Sequence, residues 1–219
     1  MSKSTINICI PVFNEEKNIK KLYEDLKIKI SDLEKKYDIN FKIVFFDDGS
    51  SDNSRQILEK LKDIELLHVE ENKGLGNAIR ELCMHSKEAK VNGMFKVDGD
   101  GQMDLDDLDK FLENDMHTSK DVIYGNRFHK SSNYKMPLHR RFGSKIFKIF
   151  LKLFSINISD PTNGFIYLSK KYLANSKIIG NYNAAQQILL DAKLRNLKID
   201  EVNINLKQRS EGRSFIGIK

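Results

Sequence analysis

The sequence predicts an α/β fold with a mostly parallel sheet flanked by helices, and two patterns lead to this prediction. Short apolar runs rich in Ile, Val and Phe, at residues 5–13 (TINICIPVF) and 41–48 (FKIVFFDD), are typical of buried parallel strands. Between them, apolar residues recur at spacings of three, four and seven over residues 19–37, as in an amphipathic helix. Strands that alternate with helices indicate βαβ units, whose parallel sheet is covered on both faces.

The same alternation continues through the first half of the chain. It predicts helices at 52–62 and 76–89 and strands at 64–69 and 93–97. After Asp98 the rhythm changes, and the later elements are a helix at 104–116, a strand at 121–125, a lysine-rich apolar segment at 138–156, helical patterns at 169–176 and 184–196, and a strand at 199–206. We therefore expect one domain over residues 1–219, built from a first half, 1–102, and a second half, 103–219.

Composition excludes several classes of protein. The chain has 219 residues and is 40% hydrophobic, which is ordinary for a globular protein and argues against disorder. No stretch approaches the roughly 20 apolar residues of a membrane span, and residues 1–7 lack a signal-peptide layout, so we expect a cytoplasmic protein. Cys9 and Cys83 have no CxxC or His spacing around them, which predicts reduced thiols and excludes zinc fingers and disulfide scaffolds. The net charge of +6 leaves nucleic acid, an anionic membrane surface and a lysine-rich genome as open explanations.

Four polar clusters follow predicted strands or begin helices, where open parallel sheets bind ligands. They are PVFNEE (11–16), DDGSSD (47–52), ENKGLG (71–76) and DGDGQ (98–102). ENKGLG lacks the third glycine of a dinucleotide fingerprint, and no GxxxxGK[ST] occurs, so NAD binding and a P-loop are disfavoured. In DDGSSD, helix capping explains Ser51 and Asp52 but not the adjacent carboxylates of Asp47 and Asp48.

DGDGQ predicts a metal site. Asp98 and Asp100 project to the same side of an extended chain and offer oxygen ligands to a hard cation. A solvated acidic turn is the alternative, while Met103 and Asp109 stand where a calcium EF-hand loop needs Gly and Glu. Mg²⁺ or Mn²⁺ held by one or two carboxylates usually completes its shell with diphosphate oxygens and water. Arg127 and Arg209 are candidates for binding the phosphates, against the alternative of surface arginines.

Seven motifs in order over nearly the whole chain give a specific resemblance. They are PVFNEE, FFDDGSSD, NKGLGNA, VDGDGQ, YGNR, DPTNGF and R-x-x-G-x-S. Together they resemble the inverting family-two glycosyltransferases, and among them the subgroup of dolichyl-phosphate mannose synthase and bacterial polyprenyl-phosphate sugar transferases. The resemblance implies a GT-A-type fold, with a nucleotide-sugar-binding half at 1–102 and an acceptor-binding half at 103–219. It also implies a divalent cation, a nucleotide-sugar donor, and a lipid-phosphate or glycan acceptor.

The resemblance also assigns site residues. The nucleoside would be held by Pro11, Phe13, Glu15, Phe46 and Asp48. The metal and the diphosphate would be held by Asp98, Asp100 and Gln102, and Val97 and Gly99 of the same segment would also contact the donor. The phosphates would be held by Arg127 and Arg209. Asp100, Arg127 and Asp191 are the expected catalytic residues. The chain departs from the family pattern at Phe13, where the subgroup commonly has tyrosine. It departs again at Phe215, where Ser214 should precede a lysine. One phosphate-binding cation is therefore either missing or supplied elsewhere, with Arg213 as the candidate.

The acceptor decides whether a base is needed. A hydroxyl acceptor needs a carboxylate base. Asp191 matches the position of the carboxylate on the acceptor helix of the subgroup. A polyprenyl phosphate has a second pKa of about 6, so it is already ionised at neutral pH. Asp191 would then only orient the acceptor, and a solvent-facing helix position is its plain alternative. Asp160 in DPTNGF is a further acceptor-site candidate or part of a simple turn.

The segment 140–156 bears on membrane contact. Lys145, Lys148 and Lys152 fall on one side of a helix, and apolar residues fill a very broad remaining arc. A helix sandwiched in the core and a helix at the cytoplasmic face of a membrane, directly or through a membrane partner protein, both remain open. Nucleic acid is not expected as a partner, because no aromatic-interleaved basic stripe is visible.

Overall fold

A computed structural model describes residues 3–129 and 138–207 of the chain, with side chains described from residue 143 onward in the second range. Within these residues there are seven strands and seven α-helices. In chain order they are β1 (Ser4–Val12), α1 (Ile19–Lys36), β2 (Ile39–Asp48), α2 (Ser54–Leu58), β3 (Ile64–Val69), α3 (Leu75–Glu88), β4 (Gly93–Lys96), a 3-10 turn (Leu105–Asp107), α4 (Leu108–Thr118), β5 (Val122–Asn126), α5 (Leu138–Leu153), β6 (Ile166–Ser169), α6 (Lys170–Leu173), α7 (Ala184–Leu194) and β7 (Ile199–Asn203).

The strands form a single sheet in the order β3-β2-β1-β4-β6-β5-β7. The ladders β1–β2, β1–β4, β2–β3 and β5–β7 are parallel, whereas β6 runs antiparallel to both β4 and β5. The prediction of a mostly parallel sheet with flanking helices is therefore confirmed. The carboxyl ends of β1, β2 and β4 meet at one edge of this sheet, which is the edge where the polar clusters lie.

Strand β6 is the main difference from the sequence prediction. We expected a turn over SDPTNGF followed by a helix at 169–176, but residues Ile166–Ser169 form a strand and only Lys170–Leu173 are helical. An apolar run of four residues is too short for periodicity to distinguish strand from helix. The pairing with β4 and β5 supplies backbone hydrogen bonds on both sides, and this tertiary contact decides the strand.

The sheet separates two hydrophobic clusters, because successive strand side chains point to opposite faces. Ile8 and Ile10 of β1 pack on the face covered by α1, α2 and α4, whereas Cys9 packs on the face covered by α3, α6 and α7. Cys9 and Cys83 are both buried free thiols, as expected. Burial raises the pKa of the Cys83 thiol to about 12, so this thiol is inert near neutral pH.

Within the part of the chain that the structure describes, no helix combines the length and the apolar character that a bilayer crossing requires.

Candidate functional site

The DGDGQ segment leaves the carboxyl end of β4 beside β1. The backbone N–H of Val97 donates to the Cys9 carbonyl at 3.0 Å, and a Cβ at Gly99 would lie 3.1 Å from the Pro11 carbonyl oxygen. The Asp98 side chain is 38% exposed, and Asp100 accepts a 3.1 Å hydrogen bond from the backbone N–H of Gln102. The segment is thus fixed to the sheet through its backbone, while the Asp98 carboxylate remains partly accessible to a ligand.

The donor set of this segment fits part of a divalent-cation site. Carboxylates from Asp98 and Asp100 and the Gln102 amide offer the oxygen ligands that Mg²⁺ and Mn²⁺ prefer. Among the described residues, no group of three or more His, Cys, Asp and Glu side chains could hold a metal ion. A cation here therefore needs further oxygen ligands from a bound molecule or from water.

Lys96 is a functional candidate that the sequence reasoning missed. Its side chain is only 2% exposed, and its ammonium group forms an ion pair with the Asp98 carboxylate. Lys96 and Asp98 are two residues apart at the end of a strand, so they share one side of the extended chain. The available signal was a lysine in an otherwise apolar strand, two residues before the first acidic residue of DGDGQ.

The DPTNGF turn packs directly against this pair. A Cβ at Gly164 would lie 2.6 Å from Asp98 Oδ2 and would also collide with the Lys96 ammonium, so a larger residue there would displace this ion pair. The turn is held by buried Asn163, whose Nδ2 donates to the Gly125 carbonyl at 2.6 Å and whose Oδ1 accepts from the Phe165 N–H at 3.1 Å. The second half of the chain thereby closes one side of the DGDGQ site.

Arg127 and Asp160 form a buried bidentate ion pair. Arg127 Nε lies 2.6 Å from Asp160 Oδ2, and Nη2 lies 2.8 Å from Oδ1. Asp160 is fully buried, the Arg127 side chain is 12% exposed, and Arg127 Nη2 also donates to Thr162 Oγ1 at 3.0 Å. The structure therefore joins YGNR to DPTNGF, and Asp160 orients the arginine that follows β5.

The PVFNEE and DDGSSD segments interlock at the ends of β1 and β2. Asn14 Oδ1 accepts from the N–H groups of Ser51 at 2.8 Å and Asp52 at 3.3 Å, and the N–H of Glu15 donates to Ser54 Oγ at 2.8 Å. Pro11, Phe13 and Glu15 are half-buried within this scaffold. The predicted nucleoside-binding residues of PVFNEE thus lie at the end of β1 and in the loop that follows, at the same edge of the sheet as DGDGQ.

The side chains of Phe46 and Asp48 are buried and contact the protein itself, and their predicted contact with a nucleoside stays a prediction. Phe46 is 2% exposed and packs in the cluster beneath α3, and Val97 is fully buried as well. Asp48 accepts hydrogen bonds from the N–H groups of Lys73 at 3.1 Å and Gly74 at 2.8 Å. Burial raises the pKa of Asp48 above its ordinary value, although these two bonds act in the opposite direction.

Asp47 is also buried, and its Oδ1 accepts from the Ser50 N–H at 3.1 Å. The adjacent carboxylates of DDGSSD therefore point inward. They anchor the turn at residues 49–50 and the loop at 73–74.

The glycines of ENKGLG allow the loop at residues 180–182 to pack closely against the start of α3. A Cβ at Gly76 would lie 2.7 Å from Asn181 Cα and would collide with the Gly180 carbonyl, while the Gly76 N–H donates to the Asn181 carbonyl at 3.0 Å. Gln187 fixes this loop by accepting from the Gly180 N–H at 2.9 Å and donating to the Tyr182 carbonyl at 2.7 Å. Close backbone packing explains these glycines without a dinucleotide.

The structure places Asp191 away from the DGDGQ segment, and its predicted role at the acceptor stays a prediction. Its side chain is 8% exposed, and Oδ2 accepts from the Lys177 N–H and from Arg195 Nη1, both at 3.1 Å. Arg195 in turn donates to the carbonyls of Lys171 and Tyr172 in α6. Because α6 follows the antiparallel strand β6, this network lies at the edge of the sheet opposite to DGDGQ.

The predicted phosphate-binding residues near the C-terminus, Arg209 and Arg213, lie outside the described residues, as do Ser214 and Phe215. The last residue described, Lys207, donates its backbone N–H to the Gln102 carbonyl at 2.8 Å. A bridge between Met103 and Leu206 lies beside this bond. The chain that leaves β7 therefore reaches the DGDGQ segment.

Comparison with known proteins identifies the family. A family model described as glycosyl transferase family 2 matches residues 7–176. A UDP-N-acetylglucosamine–dolichyl-phosphate N-acetylglucosaminyltransferase of Methanococcus voltae is 30% identical over 93% of this chain and 86% of its own length. A dolichyl-phosphate beta-glucosyltransferase of Trichomonas vaginalis is 27% identical over 91% of this chain and 64% of its own length.

Solved structures share the fold. Glucosyl-3-phosphoglycerate synthase from Mycobacterium tuberculosis, in complex with uridine diphosphate, superposes with a TM-score of 0.68 over 97% of this chain and 74% of that chain. The same enzyme with Mn²⁺ and uridine-diphosphate-glucose gives a TM-score of 0.67. At 17% and 18% sequence identity these likenesses show the fold alone. The family match over most of the chain, together with this fold, establishes that the protein belongs to glycosyl transferase family 2 and is a glycosyltransferase of the GT-A type.

Proposed function

We propose that this glycosyltransferase moves a sugar, with inversion, from a nucleoside-diphosphate sugar to a polyprenyl phosphate of the dolichyl type, in a reaction that needs a divalent cation. The observation that carries the proposal is the DGDGQ segment at the end of β4, closed on one side by the Gly164 turn. Two relatives are named as dolichyl-phosphate sugar transferases, and this supports the acceptor. Mn²⁺ and uridine-diphosphate-glucose in a protein of the same fold support the cation and the donor.

The donor site uses residues from both halves of the chain. Asp98, Asp100 and Gln102 would hold Mg²⁺ or Mn²⁺, which when bound neutralises the charge of the departing diphosphate. Pro11 near the end of β1, and Phe13 and Glu15 in the loop that follows it, would lie beside the nucleoside.

Arg127 would bind phosphate oxygens, in the orientation that its ion pair with Asp160 gives the guanidinium group. Arg209 is proposed for the same role from the sequence resemblance.

The position of Asp191 favours a phosphate acceptor over a hydroxyl. A hydroxyl acceptor needs a base within about 3.2 Å of the proton-bearing oxygen, and Asp191 is buried at the other edge of the sheet. A phosphate monoester has a second pKa near ~6, so its oxygen is already a competent nucleophile at neutral pH. Attack from the face opposite to the leaving diphosphate would invert the anomeric centre.

Helix α5 would hold the enzyme at the cytoplasmic face of the membrane that contains such an acceptor. Ile149 is 65% exposed and Leu153 is 78% exposed, while only Leu151 is fully buried among the described side chains of this helix. Lys145 and Lys152 are exposed beside this apolar surface. Apolar side chains flanked by lysines are typical of helices that lie in an anionic membrane interface.

Transfer of labelled sugar from a panel of nucleotide sugars to a short polyprenyl phosphate, with Mn²⁺ present, tests the proposal. Asp100→Asn should reduce the rate by at least ~100-fold, because a metal ligand that stabilises the leaving group is lost. Asp106→Asn is the matched control, since Asp106 is an exposed aspartate paired with Lys29, and it should keep the parental rate. Full activity of Asp100→Asn would refute the cation site, and transfer to saccharide hydroxyls alone would refute the acceptor.

A further inference from the structure

A buried positive charge lies beside the first carboxylate of the DGDGQ segment, that of Asp98. The Lys96 side chain is 2% exposed, and Asp98 is the only partner of its ammonium group among the described residues. Lys96 is the last residue of β4 and pairs in register with Ile166 of β6. The neighbouring Gly164 position lacks a side chain, and a Cβ there would collide with this ammonium group. The ammonium is therefore enclosed by the strand pair and the turn, with Asp98 beside it.

Packing alone does not require a lysine at this position. Met94, two residues earlier on the same side of β4, is buried in a hydrophobic cluster with an apolar side chain of similar length. Burying an ammonium group is unfavourable unless a carboxylate compensates it, so Lys96 depends on Asp98 for its stability. The buried ammonium group of Lys96 thus neutralises the carboxylate of Asp98 in the DGDGQ segment.

The charge balance of the site then changes with the bound species. Lys96 supplies one positive charge that balances the carboxylate of Asp98, so this pair has no net charge. A divalent cation that binds Asp98 without other ligands would meet the ammonium group as a like charge in a partly buried site. A nucleoside diphosphate brings negative charge that offsets this repulsion.

We propose that Lys96 makes divalent-cation binding conditional on the diphosphate of the donor. This inference rests on the function proposed above and adds a positioning residue to it. Repulsion between the ammonium group and the cation weakens binding of the cation alone, and the diphosphate restores it. Cation and donor therefore enter the site as a coupled unit, and the free enzyme does not retain the metal.

A purely structural role predicts a different result. If Lys96 only orients the Asp98 carboxylate, its removal disorders a metal ligand and weakens cation binding with and without nucleotide. If Lys96 opposes the cation, its removal strengthens binding of the cation alone. The direction in which the affinity for the cation alone changes therefore distinguishes the two roles. The measurement is of cation binding and does not depend on turnover.

Calorimetric titration of the full chain with Mn²⁺, in the absence and presence of uridine diphosphate, measures this coupling. For the parental protein we expect Mn²⁺ affinity to rise at least tenfold when uridine diphosphate is present. Lys96→Met should bind Mn²⁺ alone at least tenfold more tightly than the parental protein and should lose most of the dependence on nucleotide. Lys96→Arg keeps the charge and should retain the parental coupling.

Lys171→Met is the matched control, because Lys171 pairs with the buried carboxylate of Asp121 at the opposite edge of the sheet. It should leave both affinities unchanged. Unchanged or weaker binding of Mn²⁺ alone to folded Lys96→Met would overturn the inference, as would parental Mn²⁺ affinity that is the same with and without uridine diphosphate. The latter measurement needs no variant. A parental protein that binds neither Mn²⁺ nor any nucleoside diphosphate would overturn the proposed function itself.

Discussion

Replacing Asp160 by asparagine should destabilise the protein strongly, because the change leaves the guanidinium group of Arg127 without its buried counter-charge. Asp160 accepts from Arg127 Nε at 2.6 Å, from Nη2 at 2.8 Å and from the Arg127 backbone N–H at 3.2 Å. Asparagine offers one acceptor oxygen and turns an NH₂ group toward the guanidinium. Breaking a buried pair by altering one partner costs about 3 kcal/mol or more, so we expect a loss of ~3 kcal/mol in the free energy of unfolding.

Urea denaturation followed by circular dichroism measures this loss as a lower midpoint at an unchanged slope. A double-mutant cycle with Arg127→Met should return a coupling energy of about 2 kcal/mol, since the two side chains share one pair of hydrogen bonds. Asp63→Asn is the control, because the Lys27–Asp63 pair is solvent-exposed and contributes at most about 0.5 kcal/mol. A loss below about 1 kcal/mol for Asp160→Asn would refute the view that this pair organises the site.

Two further predictions concern Asp191 and α5. Asp191→Asn should lower the free energy of unfolding by about 2 kcal/mol, because it breaks the ion pair with Arg195. It should keep the rate of sugar transfer to a polyprenyl phosphate within about threefold of the parental rate. A loss of orders of magnitude in the folded variant would indicate that Asp191 acts as a base. The double change Ile149→Gln and Leu153→Gln should reduce co-sedimentation with anionic phospholipid vesicles by about tenfold, because two exposed apolar side chains are lost. Leu194→Gln, which alters a similarly exposed leucine on α7, should leave vesicle binding unchanged, and equal binding by all three proteins would exclude α5 as the contact.

The parallel part of the fold could be predicted because its signals are local. The apolar runs of β1 and β2 and the helical spacing of α1 each depend on neighbouring residues, and the structure places these elements within a few residues of the predicted bounds. Strand β6 could not be predicted, since its four residues become a strand only through pairing with β4 and β5. The location of the site could also be predicted, because ligands of open parallel sheets bind at the carboxyl ends of the strands, and the polar clusters follow the strands directly in the sequence.

The details of the site depend on contacts between distant segments, and these were not visible in the sequence. The turn at Gly164 meets Asp98, and Arg127 meets Asp160, across separations that no pattern specifies. The direction of the Asp191 side chain could not be predicted, because its apolar neighbours on α7 do not fix it. Lys96 was overlooked because a single lysine in a strand resembles an edge position until the pairing of β4 on both sides is known.

The insertion of β6 between β4 and β5 has a consequence for synthesis of the protein. Strands β1 to β4 are complete once residue 96 has emerged from the ribosome, but the outer edge of β4 finds its partner only when residues Ile166–Ser169 follow. During that interval the edge presents unpaired N–H and C=O groups, which are a template for pairing with other chains. Truncated or stalled chains that end before residue 166 would therefore aggregate, and their recovery from cells would depend on chaperones that shield this edge.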